Sequence, residues 1–331
     1  MPEAGGTQIG GIPSLPPGMK VLSIDGGGIR GLIPALVLAE VERRTGRRTA
    51  ELFDLIAGTS TGGIIACALS RRGEDGRPAH SAEEIADLYI SEGPKIFDRS
   101  LIQQVTSLGG LVEERYDDAG LNAALETYLG PTRLKEVLCD VFITAYDIRE
   151  RFAFFFRSSR ARTDDAYDFS LVEATRATCA APTYFEPVEV TDAAGARTYP
   201  LIDGGIYAVN PAMCAYAEVV GGGAELEVLA SLGTGAQTKA YEIEDVRGWG
   251  ALEWVRPLID MVFDGVADTI DFEAATLGGE RYRRFQAELR YASDAFDDAG
   301  PSNLRRLQGD AERLIAERTA DIETLCEALA G

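Results

Sequence analysis

The segment Phe53–Leu69, FDLIAGTSTGGIIACAL, carries the clearest structural pattern of the chain. The apolar run Leu52–Ala57 predicts a buried β-strand, and Thr61–Leu69 predicts a helix. Between them, Gly58-Thr59-Ser60-Thr61-Gly62 predicts a sharp turn, because glycines on both sides of a serine relieve crowding there. This strand–turn–helix order is typical of a nucleophile elbow, in which Ser60 would be the nucleophile. The alternative is an ordinary Ser/Thr–Gly turn at the start of a helix.

His80 is the single histidine of the chain. It lies in a polar loop with Pro78, directly before Ser81-x-x-Glu84, a capping box that predicts the start of a helix. Most serine hydrolases pair the nucleophile with a histidine that acts as general base. Since a solvated loop is a poor place for that base, we expect a carboxylate to serve Ser60.

Strand and helix patterns alternate along the chain. Further strands are predicted at Lys20–Ile24, Asp140–Tyr146, Phe152–Phe156, Thr198–Ile202 and Leu226–Leu232, and helices at Leu32–Arg44, Leu171–Ala180 and Asn303–Leu329. This alternation predicts a mostly parallel sheet with helices on both faces. Active sites of such sheets gather at the carboxyl ends of the strands.

A glycine-rich corner, Asp25–Gly31, follows the first predicted strand. Its residues Gly26-Gly27-Gly28-Ile29-Arg30-Gly31 satisfy the dinucleotide-binding pattern G-x-G-x-x-G. Against that interpretation, Asp25 would place a negative charge near the pyrophosphate. The loop could instead form an oxyanion hole from backbone N–H groups, with Arg30 adding positive charge, or be a structural turn. The loop alone leaves all three interpretations open.

A third corner, Asp203-Gly204-Gly205, follows the strand predicted at Thr198–Ile202. As a general base, Asp203 would have to approach Ser60 and be partly desolvated, since burial raises the pKa of a carboxyl group. The alternative is an Asp–Gly β-turn without a catalytic role.

Composition narrows the class of protein. The 331 residues carry a formal charge of −21, which disfavours binding to nucleic acid and long-range attraction to anionic membranes. Five scattered cysteines predict reduced thiols in a cytoplasmic protein, and neither a metal nor a cofactor is expected. Residues 1–19 read as a flexible leader rather than a signal peptide, and no run approaches the ~20 apolar residues of a membrane span.

Taken together, DGGGIRG, GTSTG and DGG resemble, in this order, the motifs of the patatin-like phospholipases. Ala174–Val188 (ATRATCAAPTYFEPV), Asn210-Pro211 and Ser231–Gly235 (SLGTG) also resemble segments of that family. The resemblance covers about residues 20–235, and the remaining third carries no motif that matches.

The resemblance implies a three-layer α/β/α fold with a mostly parallel central sheet. It implies one domain over residues 20–331, with residues 236–331 as a helical C-terminal part. It also implies a Ser–Asp dyad that cleaves acyl esters of glycerophospholipids without a cofactor, with peripheral contact to the membrane. The residues concerned are Ser60 as nucleophile, Asp203 as base, Gly26, Gly27, Gly28 and the N–H of Thr61 as oxyanion donors, and Arg30 as the basic residue of the loop.

Three alternatives stay open. The same chemistry could be gated by a cyclic nucleotide in an anti-phage effector, with the activator bound by the unmatched C-terminal third. The chain could instead be an NAD-binding oxidoreductase, or a storage or binding protein without activity. Self-association is a further prediction. The aromatic-rich stretch around Trp249 and Trp254 is expected to pack on the core, with contact to a lipid interface as the alternative.

Overall fold

The structure, a computed structural model, describes residues 15, 18–98, 103–106, 112–236 and 241–330. Most of the predicted leader, residues 1–14, 16 and 17, lies outside the described residues. The strands are β1 Met19–Ile24, β2 Leu55–Gly58, β3 Gln103–Thr106, β4 Val112–Arg115, β5 Asp140–Asp147, β6 Phe152–Arg157, β7 Val188–Thr191, β8 Thr198–Asp203, β9 Leu226–Leu232 and β10 Tyr282–Phe285.

The helices alternate with these strands. They are α1 Leu32–Thr45, α2 Thr49–Leu52, α3 Thr61–Ser70, α4 Ala82–Ser91, α5 Gly93–Ile96, α6 Asp118–Leu129, α7 Ser158–Ala161, α8 Leu171–Thr178, α9 Gly205–Ala208, α10 Ala212–Gly221, α11 Ile243–Val246, α12 Ala251–Gly278, α13 Pro301–Glu317 and α14 Thr319–Ala330. Short 3₁₀ turns also occur, one of them at Gly28–Gly31 in the glycine-rich loop.

The central sheet has the strand order β10-β9-β1-β2-β5-β8-β7, with β6 paired to β5. The strands from β10 to β5 run parallel, whereas β8, β7 and β6 join antiparallel. The buried residues of β1 and β2 alternate between two apolar cores, so that Leu22 and Ile56 face one core and Val21 and Leu55 face the other. Helices cover both faces, which confirms the predicted three-layer α/β/α fold with a mostly parallel sheet.

The C-terminal part differs from the helical arrangement predicted for it. It supplies a strand, β10, which pairs with β9 in the central sheet. The single helix predicted over Asn303–Leu329 is wrong, because the chain breaks at Arg318 into α13 and α14. The break allows both helices to pack against α1. These contacts support one domain over residues 20–331, which stays a prediction.

The direction of β8 determines where Asp203 lies. Gly58 at the end of β2 is level with Ile143 of β5, and Asp203 pairs with Ala145, two residues further along β5. Because β8 runs opposite to β5, the chain of β8 starts beyond the carboxyl end of β5. The carboxyl end of β8 then comes back to the level of the sheet at which Ser60 lies. A fully parallel sheet is therefore not what brings Asp203 to this edge.

Candidate active site

Ser60 lies at a strained elbow between β2 and α3. Its backbone has φ 53° and ψ −123°, a conformation that is costly for a residue with a side chain. The flanking glycines are required by close packing, since a Cβ at Gly58 would lie 2.3 Å from the Gly62 carbonyl oxygen. A Cβ at Gly62 would lie 2.1 Å from the carbonyl oxygen of Ile24. The elbow therefore presses against the end of β1 and holds Ser60 half-buried at the edge of the sheet.

The Asp203 carboxyl lies next to the Ser60 hydroxyl, and both line the same cavity. The backbone N–H of Gly205 donates a hydrogen bond to Asp203 Oδ1 at 2.7 Å. Burial raises the pKa of the Asp203 carboxyl to about 7, although the neighbouring Ser60 hydroxyl and the Gly205 N–H lower it. Near neutral pH the carboxylate is therefore a much better proton acceptor than an ordinary aspartate.

Thr178 and Cys179, at the end of α8, also contact Ser60. The Ser60 backbone N–H donates to Thr178 Oγ1 at 2.8 Å, which fixes the elbow and occupies that donor. The Cys179 thiol lies beside the Ser60 side chain, and burial raises the pKa of this thiol far above its usual range. Because it stays protonated, Cys179 does not compete with Ser60 as a nucleophile.

The glycine-rich loop approaches Ser60 but differs from the sequence prediction at Gly26. The N–H of Gly26 donates to the carbonyl oxygen of Val209 at 2.9 Å, so the prediction of Gly26 as an oxyanion donor is wrong. Within the part of the chain that the structure describes, no hydrogen-bond acceptor occupies the N–H groups of Gly27, Gly28 and Thr61.

The position of Arg30 also differs from the prediction that it adds positive charge to an oxyanion hole. It is buried, and its guanidinium carbon lies 4.4 Å from the centroid of the Phe296 ring. The residues that the structure describes as lining the cavity do not include Arg30, so it does not offer its charge to a bound substrate there. Burial raises the pKa of Asp25, and the charges of Arg284 and, to a smaller extent, Arg30 oppose this rise.

Two long-range contacts hold the loop in place. Arg284 of β10 binds Asp25 through two hydrogen bonds, of 2.9 Å to Oδ1 and 2.5 Å to Oδ2. Thr234 donates from Oγ1 to the carbonyl oxygen of Gly26 at 2.7 Å. Gly28 has φ +54°, and a Cβ there would lie 2.2 Å from the Phe296 carbonyl oxygen. The unmatched C-terminal third thus contributes Arg284 and Phe296 to the support of the loop.

Ser60 and Asp203 open into a largely apolar cavity of about 280 Å³. One part of its lining is buried and comes from α3 to α6, for example Ile64, Leu88, Ile96 and Leu121. The other part comes from α12 and the C-terminal loop, where Leu258 and Val262 are exposed to solvent, and Phe263 and Phe296 are partly exposed. The cavity therefore has a closed apolar end and an open end that meets the surface of the protein.

His80 lies far from Ser60. Its Nε2 is 2.8 Å from the carbonyl oxygen of Tyr128 and 3.4 Å from Nη1 of Arg71, the residue that follows α3. Ser60 precedes the first residue of α3, and this helix of 10 residues is about 15 Å long at 1.5 Å per residue. The two side chains are therefore separated by the length of α3, as expected for a base other than histidine.

Sequence reasoning missed several residues of the site. Thr178 and Cys179 lie within Ala174–Val188, so the resemblance of that segment to the family could have indicated them. Arg284 and the cavity-lining residues of α12 gave no such signal, because their contacts depend on residues far away in the sequence.

Comparison with known proteins assigns the chain to a family. Residues 22–216 match the sequence model of the patatin-like phospholipases. The chain is 33% identical to patatin-like protein 1 of Oryza sativa subsp. indica, over 94% of this chain and 85% of that protein. It is 35% identical to patatin-like protein 2 of Arabidopsis thaliana, over 82% of this chain and 74% of that protein. The chain therefore belongs to the patatin-like phospholipase family.

Family membership supports lipid acyl hydrolysis as the general class of activity and lipids as the class of substrate. It favours the hydrolase interpretation of the glycine-rich loop over the dinucleotide-binding one. A further relative, 32% identical over 92% of this chain and 88% of its own length, is named probable inactive patatin-3-Kuras 1 of Solanum tuberosum. In the described ranges of this chain, no helix is both long enough and apolar enough to span a bilayer.

Proposed function

We propose that this protein hydrolyses fatty acyl esters of glycerophospholipids through a Ser60–Asp203 dyad. The observation that carries the proposal is the placement of a serine on a strained elbow next to a buried carboxyl group, at the wall of an apolar cavity. One relative is named as probably inactive, so family membership alone does not imply activity. We therefore base the proposal on the pair Ser60 and Asp203.

In the first step, Asp203 takes the proton of the Ser60 hydroxyl as Ser60 Oγ attacks the ester carbonyl carbon. The tetrahedral intermediate collapses when Asp203 returns the proton to the leaving oxygen, which releases the lysophospholipid and leaves the acyl group on Ser60. Water then gives a proton to Asp203 and attacks the acyl-enzyme. Return of that proton to Ser60 releases the fatty acid and restores the dyad.

The negative oxygen of each intermediate needs hydrogen-bond donors near Ser60. The N–H groups of Gly27, Gly28 and Thr61 are the proposed donors, because no described residue occupies them. Thr61 is also the first residue of α3, where the helix dipole favours negative charge. One such donor typically contributes about 3 kcal/mol to the reduction of the barrier.

The shape of the cavity supports one orientation of the substrate. The buried lining from α3 to α6 suits the acyl chain, since it offers almost no polar surface. The open end beside Leu258 and Phe296 suits the glycerol and headgroup, which keep their contact with water. The ester carbonyl would then lie between the two ends, next to Ser60 and the glycine-rich loop.

The test is hydrolysis of phosphatidylcholine by the wild-type protein and by Ser60→Ala, followed by mass spectrometry of the released fatty acid and lysolipid. We expect activity from the wild type, unaffected by chelators, and loss of at least about a thousandfold in Ser60→Ala. An inactive wild type on monomeric and vesicular lipid alike, or an equally active and folded Ser60→Ala, would contradict the proposal.

Four further predictions from the sequence remain to be tested. They are activation by a cyclic nucleotide, self-association, a cytoplasmic location and peripheral contact with membranes. Adding cyclic nucleotides to the phosphatidylcholine assay tests the first, and light scattering of the purified protein tests the second. An increase in rate with one nucleotide would place the protein among gated phospholipases.

A further inference from the structure

The outer face of α12 is apolar and open to solvent. It consists of Trp254, Leu258, Val262 and Phe272, which at 100° per residue fall within an arc of about 80° on the helix. Leu258, Val262 and Phe272 are 52%, 42% and 73% exposed, values that are high for large apolar side chains. Over the same arc the helix carries Gly265, Thr269 and Thr276, so this part of the outer face has no charge.

The opposite face of α12 packs against the protein, which holds the helix in position although its outer face is exposed to solvent. Ile270 and Ala274 are buried in the second core, and α12 contacts α10 and β10. The expectation that the aromatic-rich stretch packs on the core thus holds for one side of the helix only.

The outer face is continuous with the open end of the active-site cavity. Leu258 and Val262 belong to both, because they line the cavity and are also exposed. From Leu258 the outer face extends to Phe272 over fourteen residues, or about 21 Å. A molecule that enters the cavity from a layer of lipid would pass along Leu258 and Val262 without crossing a charged surface.

Carboxylates flank the outer face on both sides. Asp264, Asp268 and Asp271 lie about 80° to 140° from Leu258 around the helix on one side, and Glu273 lies about 60° from it on the other. These carboxylates, together with the net charge of −21 of the whole chain, would repel a strongly anionic surface. The partner that fits an uncharged face with an acidic border is therefore a bilayer of zwitterionic lipid.

We propose that the outer face of α12 docks the protein on zwitterionic bilayers and delivers phospholipid to the cavity. The proposal rests on the lipid hydrolase function proposed above. It adds the surface that binds the membrane and the charge class of that membrane. Docking would place Phe272 and Trp254 in the interfacial region, where an amphipathic helix lies with its apolar side in the acyl boundary.

The experiment compares Phe272→Asp with Val220→Asp, both in a Ser60→Ala background for binding. Phe272 is remote from the residues described as lining the cavity. Val220, near the C-terminal end of α10 and 51% exposed, is the matched control. We expect Phe272→Asp to reduce partitioning onto phosphatidylcholine vesicles about tenfold or more and Val220→Asp to leave it unchanged.

Two further readouts keep the result clear. Trp249 and Trp254 are the only tryptophans in the sequence, so quenching of protein fluorescence by brominated phosphatidylcholine reports insertion of the N-terminal end of α12. In the active protein, Phe272→Asp should hydrolyse vesicles about tenfold more slowly and monomeric short-chain phosphatidylcholine within twofold of wild type.

Equal vesicle binding by Phe272→Asp and Val220→Asp would overturn the docking proposal, as would a wild-type protein that does not bind or is not quenched. If light scattering shows that Phe272→Asp converts a dimer to a monomer while vesicle binding is unchanged, the outer face is a contact between two copies and the proposal is also wrong. Failure of the wild type to hydrolyse both the monomeric and the vesicular lipid would contradict the proposed function instead, and the binding comparison would still decide the role of α12.

Discussion

Asp203→Asn should inactivate the protein and make it more stable at neutral pH. Asparagine keeps the size of the side chain and can accept the hydrogen bond from Gly205, but it does not take a proton from Ser60. Loss of the base should cost several orders of magnitude in rate. The gain in stability follows from the carboxyl that is removed, because ionised Asp203 is buried in the folded state.

The size of this gain follows from the pKa of Asp203. Burial raises this pKa from 3.8 to about 7, so the stability that the protonated group contributes is present below pH 3.8 and is lost as pH rises through 7. The shift of about 3 units corresponds to about 4 kcal/mol at 1.36 kcal/mol per unit. Between pH 5 and pH 8 the free energy of unfolding of Asp203→Asn should therefore rise by about 3 kcal/mol relative to that of the wild type.

The assay is urea unfolding followed by circular dichroism at pH 5, 6, 7 and 8 and constant ionic strength. Ser60→Ala retains Asp203 and is the control, since it should follow the pH dependence of the wild type. The activity of the wild type should rise with pH to a plateau through about 7, where Asp203 becomes ionised. A stability difference between Asp203→Asn and the wild type that is flat from pH 5 to 8 would show that Asp203 does not titrate near 7 in the folded protein.

Three other substitutions test the site. His80→Ala should stay within a few-fold of wild-type activity, since His80 lies at the far end of α3, and a folded but inactive variant would contradict the dyad. Thr178→Val should lower kcat and slow labelling of Ser60, whereas Thr178→Ser, which keeps the acceptor for the Ser60 N–H, should restore both. Gly62→Ala should reduce Tm and activity together, because its Cβ would lie 2.1 Å from the Ile24 carbonyl oxygen.

The elbow was predictable because its causes are local. An apolar strand, a turn with two glycines and a helix follow one another in Phe53–Leu69, and each is visible in the residue types. The capping box at Ser81 was predictable for the same reason, and the N–H of Glu84 does bond to the Ser81 hydroxyl at 3.1 Å.

Contacts between distant residues were not predictable. The N–H of Gly26 is occupied by Val209, and Arg30 is covered by Phe296, so the loop has fewer donors and less charge for a substrate than its sequence indicates. Asp203 reaches Ser60 on an antiparallel strand, whereas the alternation of elements predicted parallel ones. Arg284 holds Asp25 across 259 residues of sequence, and no local pattern indicates such a pair.

The role of Ser60 can be tested by trapping the enzyme on its nucleophile. A long-chain alkyl fluorophosphonate should add once to the wild-type protein, and peptide mass spectrometry should find the adduct on Ser60. Labelling should be abolished in Ser60→Ala and strongly slowed in Asp203→Asn, while circular dichroism shows that both variants are folded. An adduct on another residue, or unchanged labelling of folded Ser60→Ala, would contradict the central claim that Ser60 is the nucleophile.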